Sequence, residues 1–505
     1  MSSNLIYKIL PQKLPLNYCS EVKPLQGSEK ISPLPKFSFD GKEIEFLPGE
    51  TIMQAAERAG LTEAIPRFCY HPGLPVAGTC RMCTVEIEKT PKLQTACSTP
   101  AAQGMVVKSA NERVNKSHKG VMEFLLTNHP LDCPVCDQAG ECELQDYNYD
   151  YGPNDSRFEE DKRVFEKATT RALSDKIMLN MNRCVNCERC VRFEENVTET
   201  FDLLMLNRGW KKELTVSDEE KGLSSDYQGC LADICPVGAL TFRDFRFQKR
   251  VWFLEKKPSL CDGCSKGCNI EVHHEKNIAY RYTPLFNEAI NKHWICDEGR
   301  LSYHLLNDPK RLTVPLLQEN EVSWNEALKE FKSKLQRSQN TVILVGTDST
   351  LEEVESLKKE LKDLSPKAFS IFSFNGTNGI ESSSQDAKLD KLLRMKDKTP
   401  NTKGLEALGL TPYRGEEADL LIIFKNGRAK TPAIGKHNVL ITWGVWSEDD
   451  HKALKPSIHL SGLMTQEKGG SFISSDGRRQ GFMPALVHQD RALSVDEIFN
   501  LMKKL

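Results

Sequence analysis

No run of eighteen apolar residues occurs in this 505-residue chain, and the longest strongly apolar stretches are short, such as Leu420 to Phe424. A membrane-spanning helix is therefore not expected. The first twenty residues also lack an apolar segment ahead of a small-residue cleavage site. They mix Lys8, Lys13 and two prolines with polar groups, so no secretory signal is expected and the protein should be cytosolic, or attached to a membrane through partners. Charge of one sign is not in excess either: 68 basic residues face 70 acidic ones, which argues against a nucleic-acid surface as the main business of the chain. None of the 17 cysteines lies beyond Cys296. In a reducing compartment so many thiols are not a disulfide framework, which leaves metal ligation as the alternative.

A chain this long exceeds one ordinary core, so several domains in series are expected. Residues 1–35 hold five prolines and no periodicity, and read as an irregular arm. From 36 to 110 the pattern is that of a small β-grasp domain. Two alternating strands flank Asp40-Gly41, a helix runs from Thr51 to Ala59 and stops at Gly60, and strands follow at Thr84–Glu88 and Met105–Lys108. A helix from about Asn111 to Thr127 places Val114, Val121, Met122 and Leu125 on one side. The stretch from 128 to 300 is rich in cysteine and loops, with little room for a conventional core, so bound metal is expected to supply much of its stability. Beyond Lys310, helices at Trp324–Leu335 and Leu351–Leu364 alternate with strands at 341–345, 420–424, 439–442 and 457–460, an α/β pattern. The polar stretch from Phe374 to Gly404 reads as a linker.

The cysteines fall into four constellations. Cys69, Cys80, Cys83 and Cys97 are separated by ten, two and thirteen residues. Two cysteines three apart reach the same iron and the outlying pair completes a two-iron rhomb, the plant-type arrangement at a different spacing. Gly73 and Gly78 sit in this loop, where bare backbone can offer N–H groups to the sulfides. A four-cysteine zinc site is the competing alternative. The second group is His129, Cys133, Cys136 and Cys142, in which the histidine supplies the fourth ligand that a four-iron cluster needs. His118 is less suited because it lies inside the preceding helix. An imidazole ligand makes a cluster less negative, while Asp132, Asp137, Glu141, Glu143 and Asp146 act the other way.

The third group is the C-x-x-C-x-x-C triple Cys184, Cys187 and Cys190, a ferredoxin signature whose last ligand comes from a distant Cys-Pro, here Cys235-Pro236. Cys230 is a rival for that position. The fourth group is Cys261, Cys264, Cys268 and, twenty-seven residues further on, Cys296. Cys19 and Cys230 are left over and are expected to be free thiols.

Taken in order, the four constellations resemble the NADH-quinone oxidoreductase-G family, the large iron–sulfur subunits of respiratory complex I. The resemblance covers roughly 37–310 and includes the CPVGAL of 235–240. Further on, Asp308 to Pro315, Val322-Ser-Trp324 and Glu467-Lys-Gly-Gly470 to Gln480 are similar to fragments of molybdopterin oxidoreductases, a region that is an inactive relic in this family. The resemblance implies an α+β, multi-domain fold: a β-grasp two-iron domain over 36–110, a His(Cys)3 four-iron domain over 111–150 and a ferredoxin-like four-iron domain over 151–250. A molybdopterin-oxidoreductase-type four-iron domain over 251–310 and a shortened, inactive α/β domain over 311–505 complete it. It implies one 2Fe-2S and three 4Fe-4S clusters, and electron passage from a flavin-bearing NADH-oxidising partner toward quinone. The chain is then peripheral on the cytoplasmic side of the inner membrane, without a catalytic residue of its own. Molybdopterin is not expected, since only 195 residues follow Lys310 and none is cysteine. The alternatives are an iron–sulfur subunit of an NAD-linked hydrogenase or formate dehydrogenase and, in another class, a zinc-rich structural scaffold.

Overall fold

The computed structural model describes residues 34–165, 170–364, 367–374, 388–487 and 491–505. The arm up to residue 33, with Cys19, lies outside the described residues. Alternation buries Phe37, Phe39, Ile44 and Phe46 on one face of a hairpin made of β1 (Lys36–Phe39) and β2 (Lys42–Glu45). Its turn holds Asp40 at φ 46° and Gly41 at φ 82°, the left-handed geometry that an Asp-Gly pair supplies. Thr51 caps α1 (Ile52–Arg58) in a reciprocal bond with Gln54, as the capping-box spacing requires. With β3 (Thr84–Ile87), β4 (Gln94–Thr95) and β5 (Val106–Lys108) the hairpin forms a mixed sheet of order β2-β1-β5-β3-β4. Ile52, Met53, Ala55 and Ala56 of α1 share its core.

The helix α2 (Glu112–Asn128) begins on Asn111, whose side chain accepts from the Val114 amide at 2.9 Å. Its buried stripe is Val114, His118 and Met122; Val121 and Leu125 are only half-buried, against cysteine loops. His118 donates from Nε2 to the Thr84 carbonyl at 3.0 Å and so ties the helix to the sheet. Its ring also meets Tyr151 of α3 (Glu143–Tyr151).

The stretch from 128 to 300 holds more apolar core than its sequence promised. Ile177, Leu179, Phe193, Leu231, Ile270, Tyr282, Trp294 and Ile295 belong to one buried cluster. The strands that supply it are short and separated by ligand loops, so no window shows a sustained period. They are β6 (Arg171–Ala172) and β7 (Ile177–Leu179), then, after α4 (Arg189–Phe193), the hairpin β8 (Leu203–Leu206) and β9 (Glu213–Val216). After α5 (Gln228–Asp233), β10 (Leu240–Phe242) pairs with β7. The strands β11 (Glu255–Leu260), β12 (Asn269–Glu275) and β13 (Ile278–Pro284) form an antiparallel sheet ahead of the short helix α6 (Asp297–Arg300).

The last third is one eight-stranded sheet. A hairpin of β14 (Leu316–Leu317) and β15 (Asn320–Glu321) precedes α7 (Trp324–Arg337), β16 (Asn340–Gly346), α8 (Leu351–Leu364) and β17 (Ala368–Phe374). Next come α9 (Thr402–Ala407), β18 (Thr411–Pro412), β19 (Ala418–Asn426), β20 (His437–Val445), α10 (Glu448–Leu454) and β21 (Ile458–Ser461). Spatial order is β15-β14-β21-β20-β19-β16-β17-β18, parallel from β21 to β18. Ile343, Val345, Ile422 and Trp443 face the helices α7, α8 and α11 (Val495–Lys504), while Val342, Leu344, Leu421 and Ile423 face the opposite side. A two-stranded ribbon, β22 (Gly470–Ile473) with β23 (Arg479–Phe482), completes the unit.

The expected linker is corrected over its second half; residues 375–387 lie outside the described residues. Between 388 and 404 several polar side chains are used locally rather than left to solvent, though Lys388, Lys391, Lys396 and Lys403 are exposed. The Asp390 carboxylate accepts from the amides of Leu392, Leu393 and Arg394, and Tyr227 donates to it at 2.8 Å. Leu393, Met395, Thr399 and Asn401 are buried. No helix among the described residues is long and apolar enough to cross a membrane.

Candidate metal centres

The first set lies where the β-grasp core meets its long loop. Cys69, Cys83 and Cys97 are buried and Cys80 half-buried, and the Cys69 amide donates to the Cys80 sulfur at 3.4 Å. The Cys69 thiol neighbours those of Cys80 and Cys97, and the Cys83 thiol neighbours that of Cys97. Donation from Cys80 pulls the Cys69 thiol down, and donation from Cys97 does the same at Cys83. The same neighbours push Cys80 and Cys97 up, so each lowered thiol has a raised partner and loading metal, which binds thiolate, must release protons. Gly78 does adopt φ 65° in the loop, with open space around it. Gly73 has another role: a β-carbon there would stand 2.8 Å from His293 and Trp294, so its bareness makes room for the segment that leads to Cys296.

In the second set His129 directly follows α2. Burial, then the charges of Arg183 and Lys162, lower its ring to about 4, so the imidazole is neutral, as ligation requires. Its buried Nδ1 has no hydrogen-bond partner. Cys136 and Cys142 are buried and Cys133 is exposed. Burial pushes Cys142 up to about 12. Three of the five acidic residues here are neutralised by arginines: Asp132 by Arg183 at 3.0 Å, Glu143 by Arg189 at 2.8 Å, and Glu141 by Arg281 at 2.9 Å. None of these pairs was legible beforehand, because their partners lie 46 to 140 residues away.

The third set surrounds one enclosed void. Cys184, Cys187, Cys190 and Cys235 line it together with Val185, Met205, Leu214, Val237 and Leu240. Asn186 and Glu188, at φ 53° and 60°, let the triple curl around it, and the Asn186 amide donates to the Cys184 sulfur at 3.4 Å. Cys230 is elsewhere: fully buried on α5, its thiol donates to the Ile295 carbonyl at 3.3 Å. Burial pushes Cys184 and Cys187 up to about 12.

Cys261, Cys264, Cys268 and Cys296 likewise ring a void, closed by Gly263, Gly299, Leu393 and Lys398. The Gly299 amide donates to the Cys296 sulfur at 3.3 Å, and a β-carbon at 299 would come within 2.9 Å of the Cys261 sulfur. Arg428 clamps Asp262 at 2.8 Å, and Lys398 pairs with Glu298. Among the described residues no trio of His, Cys, Asp or Glu closes to single-ion distances. In the third and fourth sets the thiols instead stand apart around a space. Four soft thiols around a small void suit a multi-atom iron–sulfur group, with a largely aliphatic wall in the third set and the bare backbone of Gly263 and Gly299 at the rim of the fourth; their raised pKa values mean that loading must release protons.

Three family models match in the same order. Residues 35–112 match a 2Fe-2S iron–sulfur cluster binding domain, 118–157 the NADH-ubiquinone oxidoreductase-G iron–sulfur binding region, and 174–241 the ferredoxin-like domain of NADH-quinone oxidoreductase subunit 3. The NADH-quinone oxidoreductase-G protein of Rickettsia conorii is 37% identical over 406 residues, 79% of this chain and 56% of that protein. The NADH-ubiquinone oxidoreductase 75 kDa subunit of Reclinomonas americana is 37% identical over 401 residues, 78% of this chain and 56% of that one. A chain in the crystal structure of an NAD+-reducing [NiFe]-hydrogenase in the H2-reduced state is 30% identical, over 43% of this chain and 91% of that chain, with a TM-score of 0.39. This chain spans about half the length of the curated relatives it matches. On three ordered family regions and relatives of this identity across most of its residues, the chain belongs to the NADH-quinone oxidoreductase-G family of iron–sulfur subunits.

Proposed function

We propose that the chain is the iron–sulfur electron-relay subunit of an NADH-quinone oxidoreductase, accepting electrons from a flavin-bearing NADH-oxidising partner and passing them toward quinone. The observation that carries this reading is that the four cysteine sets interlock. Gly238, three residues after Cys235, lies against the Cys136 sulfur of the second set. Arg192 bonds backbone of both Cys69 and Cys187. Gly73 seats Trp294, two residues before Cys296.

In this reading Cys69, Cys80, Cys83 and Cys97 hold a two-iron cluster. His129 with Cys133, Cys136 and Cys142, Cys184 to Cys190 with Cys235, and Cys261 to Cys268 with Cys296 hold one four-iron cluster each. The clusters supply one-electron exchange when bound. The chain's own residues bury most of the thiols, leaving Cys133 exposed, and set the local charge, and no side chain acts as acid, base or nucleophile. We place the domain limits at 36–110, 111–150, 151–250, 251–310 and 311–505. The last is a shortened molybdopterin-oxidoreductase-like unit without a pterin. The carboxyl edge of its parallel sheet, where such folds take ligands, is occupied by the chain's own pairs, Lys468 with Glu353 and Arg311 with Glu467. Attachment to the cytoplasmic side of the inner membrane is through partner subunits. Anaerobically purified chain should hold about fourteen iron atoms with matching acid-labile sulfide, and should co-purify with a flavoprotein. Stoichiometric zinc without sulfide would overturn the reading.

A further inference from the structure

The segment from Arg183 to Arg192 carries three cysteines of the third set and three arginines, and all three arginines are buried: 6%, 4% and 8% exposed for Arg183, Arg189 and Arg192. Each reaches out of its own set. Arg183 meets Asp132, next to Cys133, at 3.0 and 3.1 Å, and Arg189 meets Glu143, next to Cys142, at 2.8 and 3.0 Å. Both are neutralised. Arg192 is not. It donates to the carbonyls of Pro75 and Cys69 in the first set's loop and to that of Cys187 at 3.3 Å in the third. Among the described residues no carboxylate pairs with it, and its Nε is buried without a partner.

A cation removed from water and offered only carbonyl dipoles carries a large desolvation cost, which nearby negative charge has to offset. Two of its three acceptors are backbone of proposed ligands, one in each set. The negative charge at hand is therefore that of the ligated thiolates. We infer that Arg192 is a positioning residue: it fastens the first and third ligand loops together and serves as their shared counter-charge, making both sets easier to reduce. This inference rests on the ligand reading above. Reduction adds a negative charge to a ligated set, a fixed cation beside it favours the reduced form, and burial leaves that attraction little screened. The planar, always-charged guanidinium, with donors on two sides, suits a residue that must bond two loops at once.

The test is a redox titration followed by electron paramagnetic resonance, with iron and sulfide analysis, on the full chain as wild type, Arg192→Gln and Arg192→Lys. With Arg192→Gln the reduced-to-oxidised ratio at fixed potential should fall about tenfold, or about 59 mV for a one-electron couple. That fall should occur for the two-iron signal and the third set's signal and leave the fourth set's unmoved. Arg192→Lys, which keeps the charge, should hold both potentials within about twofold of wild type in that ratio. Unchanged potentials in Arg192→Gln, or an equal shift in all sets, would overturn the inference. If Arg192→Gln loses its clusters, the lysine variant decides: retention near wild-type potentials supports a counter-charge, and loss in both variants overturns it. A wild-type chain without a two-iron signal would instead overturn the ligand reading itself.

Discussion

Replacing Gly238 by alanine is a severe test of the ligand sets, because sequence and structure disagree about which cluster should suffer. By position Gly238 belongs with Cys235, in the third motif. In the fold a methyl group at 238 would stand 2.2 Å from the Cys136 sulfur and 3.2 Å from Gln138 Cβ. Ordinary contact between such atoms is ~3.5–4 Å, so the sulfur would have to retreat by more than ~1 Å. A free thiol would rotate away at little cost. A thiolate bound to iron is held to within ~0.2 Å of its proper distance, so ligation and the methyl group compete. Overpacking of a buried site costs ~1–3 kcal/mol, and here much of that falls on the second cluster. The expected result for Gly238→Ala is the loss of about four iron atoms, with the second set's paramagnetic signal gone and the third set's retained. Iron and sulfide analysis beside resonance spectra of the wild-type chain would read it. Full iron with unchanged spectra, or selective loss of the third signal, would refute the reasoning.

Other perturbations act on single residues. His129→Ala should lose or destabilise only the second cluster, whereas His129→Cys should keep it at a lower potential through the added negative charge; an unchanged spectrum in His129→Ala would remove the histidine from the ligand set. Burial raises the Glu194 carboxyl to about 7, above its ordinary value of ~4.3, so the folded state loses stability as pH climbs through that window and levels off above it. Glu194→Gln keeps an acceptor for the Leu203 amide, and should raise the Tm more at pH 8 than at pH 6, by ~1–3 kcal/mol of stability at most; an equal gain at both pH values would show that the carboxyl does not titrate there.

What was legible in the sequence is what chemistry imposes on spacing. The Cys184 to Cys190 triple and Cys235-Pro236 converge because three thiols two residues apart can only curl round one object, and their fourth partner had a short list of candidates. The hairpin at Asp40-Gly41 and the capping box at Thr51 were legible for a similar reason, since turn and cap geometry restrict residue type locally. The buried arginines were not. Nothing in Arg189 itself announces Glu143, 46 residues earlier, and an arginine in a charged stretch reads as solvated. The core between 128 and 300 is not legible in the sequence because Ile177, Phe193, Ile270 and Trp294 each come from a different short element. The polar stretch around Asp390 looked like a linker because composition does not reveal that one carboxylate holds three amides and a tyrosine.

That stretch also bears on why the α/β unit is present at all. Three of the fourth set's cysteines lie within eight residues of one another, and such a loop cannot bury its own thiols on every side. The remaining walls come from Leu393 and Lys398, and the loop is fixed from the same direction by the Ser265 amide on the Asp397 carbonyl and by Arg428 on Asp262. Both groups are held by the α/β unit: Asn401 accepts from Ile473 of the β22–β23 ribbon and donates to the Ser349 carbonyl just after β16, while Arg428 follows β19 and its amide, with that of Ala429, is bonded to Asp348. Solvent exposure is one of the main determinants of an iron–sulfur potential. The sheet can therefore govern the environment of the fourth set through β16, β19 and the segment around Leu393.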